Sequence, residues 1–482
     1  MGYKTGTDRK QLTLLPGTLD EYIPEDHICR VIDAFTRQVD LYRLGFKHTE
    51  LKKTGCRPYD PQKMLNLYIY GYLHRIRSSR RLHDETLRNI EVMWLMEGLA
   101  PDDKTVCNFR KDNTGALRQT FREYVRVCRN LGLYGEEVIA EDGVKIRANN
   151  SLKNHYNGTV VNNEIERTEK KINEHMDALE KGDKEEGKGP VPNGKDIKAA
   201  LEALKEKKER YEGLKERIEK EVETSTVDGD ARLTMTNGEG RKVDVGYNVQ
   251  TVVDSKYHMA VDFEVTNNSG DAGNLFGMTD RAKEMLEVEG LTVLADKGYY
   301  DSEDIAACEG NGVACLVAKR KPGGDIKAEG FRKEDFAYDA KEDAYACPCG
   351  NVMKCMRTGK KNRGKEYRVY ANYGACRKCQ RKIECTKYTH REMWRLGCQD
   401  IVDIADERTG KNKDLYRQRQ EIIEHVFGTV KAIWGCRQYL CRGKPKVTAE
   451  TALSYLAYNM RRTFNIFKES KLMPVFGRGK GG

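Results

Sequence analysis

Three acidic residues, far apart along the chain, occupy positions from which carboxylates can meet. Asp142 follows the apolar run Val138-Ile139-Ala140, and Asp296 follows Leu291-Thr292-Val293-Leu294-Ala295 with Lys297-Gly298-Tyr299-Tyr300 behind it. Each run reads as a strand, so each carboxylate falls at or near a strand end, and open α/β sheets build their sites outside the carboxyl ends of strands. The third, Glu424, comes from a stretch of helical spacing, Tyr416 to Lys431. There Ile422, Val426, Val430 and Ile433 form an apolar stripe, while Glu421, Glu424, Gly428 and Lys431 share the opposite one, where the small Gly leaves room for a substrate. Gathered at one edge, three carboxylates offer hard oxygen ligands suited to Mg²⁺ or Mn²⁺ rather than zinc. Two such ions activate a water or a 3′-hydroxyl for in-line displacement at a phosphodiester. Taken singly, each piece also has an ordinary structural use: an Asp beside Gly in a turn, or a Glu on an amphipathic surface helix. Glu421 is a rival for the third position.

The elements that must position these residues can be read from periodicity. From about residue 25 to 130 apolar residues recur at three and four (Ile28, Val31, Ile32, Phe35; Leu65, Ile69, Tyr72, Leu73, Ile76), which predicts a helical domain. Its basic stretches, Arg75 to Arg81 and Lys104 to Lys111, place Arg75, Arg77, Arg80, Arg81, Thr105, Asn108 and Arg110 as candidates for DNA contact, the second stretch opening a helix after Pro101-Asp102-Asp103. A solvated basic helix face is the alternative. From Glu136 onward β-branched runs predict strands at 138–140, 243–253, 259–265, 291–294 and 313–317, with helices near 275–286 and 302–307, hence an α+β or α/β class with a mixed sheet flanked by helices. Asn248 and Gln250 share one face of the second run, either toward solvent or near the site.

Two segments interrupt this pattern. Residues 152–224 carry two charged helical stretches, 164–181 and 196–223, expected as a helical hairpin. Residues 321–400 are rich in Cys, Lys and Arg. Cys347, Cys376, Cys379 and Cys385, with Cys349 and Cys355 as alternates, have spacing suited to a structural Zn²⁺. The expected division is therefore 1–130 helical and DNA-binding, 131–320 the first part of the core containing the hairpin, 321–400 the Cys-rich basic insert, 401–465 the C-terminal helical part of the core, and 466–482 a flexible basic tail.

Composition narrows the classes. The 482 residues carry 85 Lys and Arg against 75 Asp and Glu, net +10, which suits a phosphate-bearing partner without demanding one. No run of eighteen apolar residues or secretory leader is visible, so a cytoplasmic protein with reduced thiols is expected and no membrane partner. P-loop, dinucleotide and G-x-S-x-G fingerprints are absent, as is H-E-x-x-H, which argues against ATP-driven, hydride and serine-hydrolase chemistry.

Asp142-Gly143-Val144-Lys145-Ile146-Arg147-Ala148-Asn149, Gly246-Tyr247-Asn248-Val249-Gln250-Thr251, Ala295-Asp296-Lys297-Gly298-Tyr299-Tyr300 and Glu424-His425-Val426-Phe427-Gly428-Thr429-Val430-Lys431 together resemble the DDE insertion-sequence transposases, over roughly residues 20–465. The resemblance implies an RNase H-like catalytic core in which Asp142, Asp296 and Glu424 bind two Mg²⁺ or Mn²⁺ ions. It also implies that Tyr416, Arg419 and Lys431 contact DNA phosphates, although one more residue separates Arg419 from Glu424 than in that family. The implied enzyme binds the ends of its element, cuts by metal-dependent hydrolysis and joins the freed 3′ ends to target DNA, as a homodimer acting in the nucleoid. An inactive DNA-binding regulator of the same descent and a metal nuclease that does not join remain the alternatives.

Overall fold

The computed structural model describes residues 17–50, 57–184, 194–221, 223–236, 242–319, 330–360 and 366–469. The chain divides into two compact units, one formed by residues up to 136, 142–270 and 421 onward, the other by 137–141 and 271–420. The strand Val138–Arg147 and the helix Lys413–Phe427 each begin in the second unit and end in the first.

In the first unit, helices Ile28–Gln38, Pro61–Leu73, Ser79–Arg88, Ile90–Met96, Asp103–Asp112 and Thr114–Asn130 form the expected helical region. Side chains set the helix starts: Asp60 accepts the Gln62 N–H at 2.8 Å and Asp102 that of Thr105 at 2.7 Å. The long helix Lys444–Glu469 packs on Thr114–Asn130, on Pro61–Leu73 and on the strand Ala260–Thr266. It buries Val447, Leu453, Tyr455, Leu456, Tyr458 and Met460, and its Asn459 accepts the Ala260 N–H (3.0 Å). Strand Lys242–Asp254 pairs antiparallel with Arg232–Thr236 and with Ala260–Thr266. Its other neighbour is the later part of Val138–Arg147: a Cβ on Gly246 would stand 2.5 Å from the Ile146 carbonyl oxygen, so only glycine allows this backbone approach. Asn248 and Gln250 are buried in this sheet, not solvent-facing.

Helices Gly158–Lys184 and Gly194–Glu221 pack together over Val161, Tyr211, Leu214 and Ile218, and at their base His155–Asn157 pairs antiparallel with Glu223–Ser225. The expected hairpin is there, closed by a ribbon that periodicity did not reveal.

In the second unit, Val138–Glu141 runs parallel to Leu291–Ala295, which runs parallel to Val313–Val317. Helices Leu275–Leu286, Ser302–Gly310 and Gln399–Lys411 accompany these strands. The described part of the Cys-rich segment is not irregular. It is an antiparallel sheet in the order Ala337–Asp339, Ala344–Ala346, Val352–Lys360, Glu366–Ala371, Met393–Leu396, with a small core of Phe336, Tyr345, Met353, Tyr370 and Met393. The expected tail beyond residue 469 lies outside the described residues, and 466–469 end the last helix.

Candidate active site

Ile139 and Ala140 are fully buried, as are Val293, Leu294 and Ala295 on the neighbouring strand, so the apolar runs fix both strands in the sheet. Register pairs Val138 with Thr292 and ends with Glu141 opposite Ala295. The next residue in each strand direction is Asp142 on one chain segment and Asp296 on the other. Asp296 then leaves the sheet. It caps the short turn Lys297–Tyr299 by accepting the Lys297 N–H at 2.7 Å, while its side chain keeps 45% exposure and so remains open to a ligand. Asp142 accepts the following Gly143 N–H at 2.8 Å and is half-buried.

The helix Lys413–Phe427 reaches Asp296 through Arg419, whose Nη2 lies 4.0 Å from Asp296 Oδ1 and whose side chain is nearly buried. Tyr416 stands in the same group. Burial raises its phenol pKa, and Arg419 partly opposes the shift. Further on, Ile422, Ile423 and Val426 are buried while Glu421 and Glu424 are exposed, so this stretch is amphipathic as its spacing predicts. His425 turns inward: Nδ1 is 2.7 Å from the Tyr458 hydroxyl and Nε2 is 3.3 Å from Arg462, a structural anchor beside Glu424.

After Phe427 the helix changes form. Residues Gly428–Ile433 make a π-helical turn, with the Trp434 N–H bonded to the Thr429 carbonyl at 2.8 Å. The wider turn breaks the α-helical register, so the apolar stripe ends at buried Val430 and Ile433 is 59% exposed, contrary to the stripe expected for it. A Cβ on Gly428 would meet nothing within 4 Å, consistent with open space beside the backbone there. Lys431 is half-buried, and its pKa is lowered by burial and then by Arg437 and Lys145. Lys145 and Arg437 were not singled out from the sequence. Their proximity to Lys431 comes from the fold, since Arg147, two residues past Lys145, forms a bridge with Gln438, next to Arg437.

The basic candidates of the helical region separate into two groups. Arg75, Arg80, Arg81 and Asn108 are exposed; Arg75 has a positive φ of 64°, and Arg80 Nε is 3.4 Å from Asp103. Thr105 lies in the first turn of its helix, bonded to Asp102 through both its N–H and its hydroxyl. Arg77 and Arg110 are instead committed to the protein. Arg77 bonds the Gln438 carbonyl (3.0 Å) and buried Glu450 (3.2 Å), and Arg110 is buried and bonds the Tyr72 hydroxyl and the Arg77 carbonyl, each at 3.1 Å.

In the insert, Cys347, Cys349, Cys376, Cys379 and Cys385 line one cavity of ≈ 30 Å³, the size of a single water or ion. The sulfurs of Cys349 and Cys379 are 3.8 Å apart, matching the edge of a tetrahedron with Zn–S bonds of about 2.3 Å. The Asn351 N–H points at Cys347 Sγ (3.3 Å). Cys355 is not among the lining residues; it is exposed, with Sγ directed to the Arg357 carbonyl. Elsewhere His27, Cys29 and Glu91 bring ligand atoms within 4.8 Å of one another. Here His27 Nδ1 accepts the Cys29 N–H, capping the helix Ile28–Gln38, so one of its nitrogens is already used.

Two family descriptions match the chain: a transposase domain (DUF772) over residues 17–112 and a transposase DDE domain over 346–464. Both descriptions are of transposase domains, and together they support an insertion-sequence transposase of the DDE class. Glu424 lies inside the second match, while Asp142 and Asp296 lie between the two. No curated protein and no solved structure matches the chain. Among the described residues no helix is long and apolar enough to cross a membrane.

Proposed function

We propose that this transposase binds the terminal repeats of its element and catalyses metal-dependent DNA cleavage and strand transfer, with Asp142, Asp296 and Glu424 as the metal-holding acids. The observation that carries this is the register of Glu141 with Ala295, because it makes an aspartate the next residue on each of two paired parallel strands. Arg419 lies 4.0 Å from Asp296, and Glu424 follows it on the same helix, which supports the third position. The strand sequence, three antiparallel strands and then two parallel ones with intervening helices, supports an RNase H-like core.

The acids fit Mg²⁺ or Mn²⁺ by donor chemistry: their oxygens are hard, and Asp296 and Glu424 remain accessible. Bound there, two such ions would supply Lewis acidity toward the attacking and leaving oxygens. The chain's own part is to orient the scissile strand. Tyr416, Arg419 and Lys431, with Lys145 and Arg437 added, offer hydrogen bonds and positive charge to phosphate oxygens. A water oxygen displaces the 3′ oxygen at the element end, which leaves protonated. That 3′-hydroxyl then displaces a 3′ oxygen of target DNA, so one phosphodiester is broken and one formed.

In this scheme the helical region 1–130 holds the ends through its exposed Arg75, Arg80, Arg81 and Asn108, with Thr105 in the first turn of its helix beside them. The core comprises 131–320 and 401–465, and the protein works in the nucleoid as a homodimer that pairs two ends. The insert 321–400 takes a structural Zn²⁺ on the thiols Cys347, Cys376, Cys379 and Cys385, with Cys349 as the exposed neighbour of Cys379. The decisive assay incubates labelled element-end DNA with Mg²⁺ and wild type, Asp142→Ala, Asp296→Ala or Glu424→Ala. Loss of cutting and joining in all three is expected. Variants that cut as wild type does would discard the assignment, and cutting without joining by the wild type would favour a simple nuclease.

A further inference from the structure

The chain's positive charge is concentrated. Residues 321–400 hold 19 Lys and Arg against 11 Asp and Glu, so +8 of the total +10 lies in this one segment. The same segment carries the two most exposed large apolar side chains among the described residues: Ile383 at 94% and Tyr388 at 81%, the next being Tyr42 at 66%. Ile383 sits in the single helical turn Lys382–Cys385 and Tyr388 three residues beyond it, with Arg381 before the turn, Lys382 opening it and Lys387 after it. Single exposed hydrophobes need no explanation, but two of such exposure, five residues apart and set among cations, do.

The turn also has a firm base. Cys385 lies on the wall shared by the thiol-lined cavity and an open groove of ≈ 940 Å³ lined by Arg332, Lys333, Ile383, Lys387, Tyr388 and Arg391. On the inner side Cys385 packs against the insert's core, and the Glu384 carbonyl accepts the Phe331 N–H at 2.9 Å. Of the three acids at the groove, Glu384 pairs with Arg381 (2.6 Å) and Glu392 with Arg357 (3.1 Å), while Glu334 is exposed. A rigid base, a basic surround and a projecting apolar pair are the parts by which proteins enter duplex DNA, cations holding the phosphates while an apolar side chain inserts between base steps.

We infer that the tip of the insert is a second DNA contact, at which Ile383 and Tyr388 wedge into or stack on bases while Lys382 and Lys387 hold the flanking phosphates. This rests on the transposase reading for its partner, and it adds a distortion of the duplex outside the acidic residues. The test uses the full-length protein and a mixed-sequence duplex carrying 2-aminopurine, followed by anisotropy for binding and by 2-aminopurine fluorescence for unstacking. Wild type should bind and raise the fluorescence. The double variant Ile383→Ser with Tyr388→Ala, at two surface positions that leave the core untouched, should bind about tenfold more weakly and raise it no longer. Lys387→Gln should keep the fluorescence rise and lessen the slope of log affinity against log salt by about 1. A double variant that binds and unstacks as wild type does overturns the inference while leaving the transposase reading intact. So does one that only dissociates self-associated protein, since the face would then be an interface between copies. Wild-type protein that binds no duplex at all removes both.

Discussion

The acidic site and the Cys-rich insert are built in opposite ways. Asp142 and Asp296 each follow a run of buried residues, Ile139-Ala140-Glu141 and Val293-Leu294-Ala295, that is mostly apolar, so their positions are backed by a large core. The insert sheet has a core of five buried residues and spends much of its sequence on Lys, Arg and Cys. A sheet that small gains little from burial alone, and its five thiols around one cavity supply the material for a metal staple. Where hydrophobic burial is ample, polar residues are free for chemistry; where it is scarce, reactive residues are drawn into holding the fold.

That contrast can be broken by mutation. The largest effect is expected for Asp296→Asn: cleavage of element-end DNA falls to background with the thermal unfolding midpoint unchanged, because the side chain is partly exposed and supports little of the core. An equal loss of stability would mean that the carboxylate is structural. Cys376→Ser should do the reverse. Zinc content, measured by elemental analysis, drops, and amides of the strands Ala344–Ala346, Val352–Lys360, Glu366–Ala371 and Met393–Leu396 lose hydrogen-exchange protection while those of Lys444–Glu469 keep theirs. Zinc-free wild-type protein with a protected insert would remove the staple.

A smaller effect separates the two units by pH. In the first unit His74, His258 and His425 all have imidazole pKa values lowered from 6.5, chiefly by burial. Their folded state therefore favours the neutral ring. This contribution is complete above about pH 6.5 and is lost as pH falls toward the folded-state values, since the unfolded chain takes up protons first. Denaturation at pH 7.5 and pH 5.5 should show the first unit weakening at the lower pH, and His425→Gln should reduce that difference. No reduction would mean His425 is charged in place. The smallest effect is expected from Lys145→Gln, which should lessen the salt slope of DNA binding by about 1 without altering the unfolding midpoint. An unchanged slope would take Lys145 off the DNA path.

Legibility followed the same divide. The strands 242–254, 260–266, 291–295 and 313–317 and the helix 275–286 lie close to where the apolar runs predicted them, because burial on both faces or along one stripe leaves a continuous signal. The insert sheet escaped notice because its buried runs are short, Ala344-Tyr345 and Val369-Tyr370-Ala371, and Met353 and Met393 each adjoin a charged residue. Arg110 looked like a surface cation, yet the Tyr72 hydroxyl and the Arg77 carbonyl give it partners inside the helical region. Ile433 looked buried until the π turn rotated it outward. Lys145 had no periodic signal at all.

What the amino-acid order settled by itself is local: which segments are apolar enough to become strands, which carboxylates follow them, and how the thiols are spaced. These follow from side-chain chemistry and short-range periodicity. The tertiary structure alone decided that Glu141 stands opposite Ala295, that Arg419 reaches Asp296, and that five cysteines share one cavity. Those facts depend on register, helix form and packing between distant segments, which no nearest-neighbour pattern encodes.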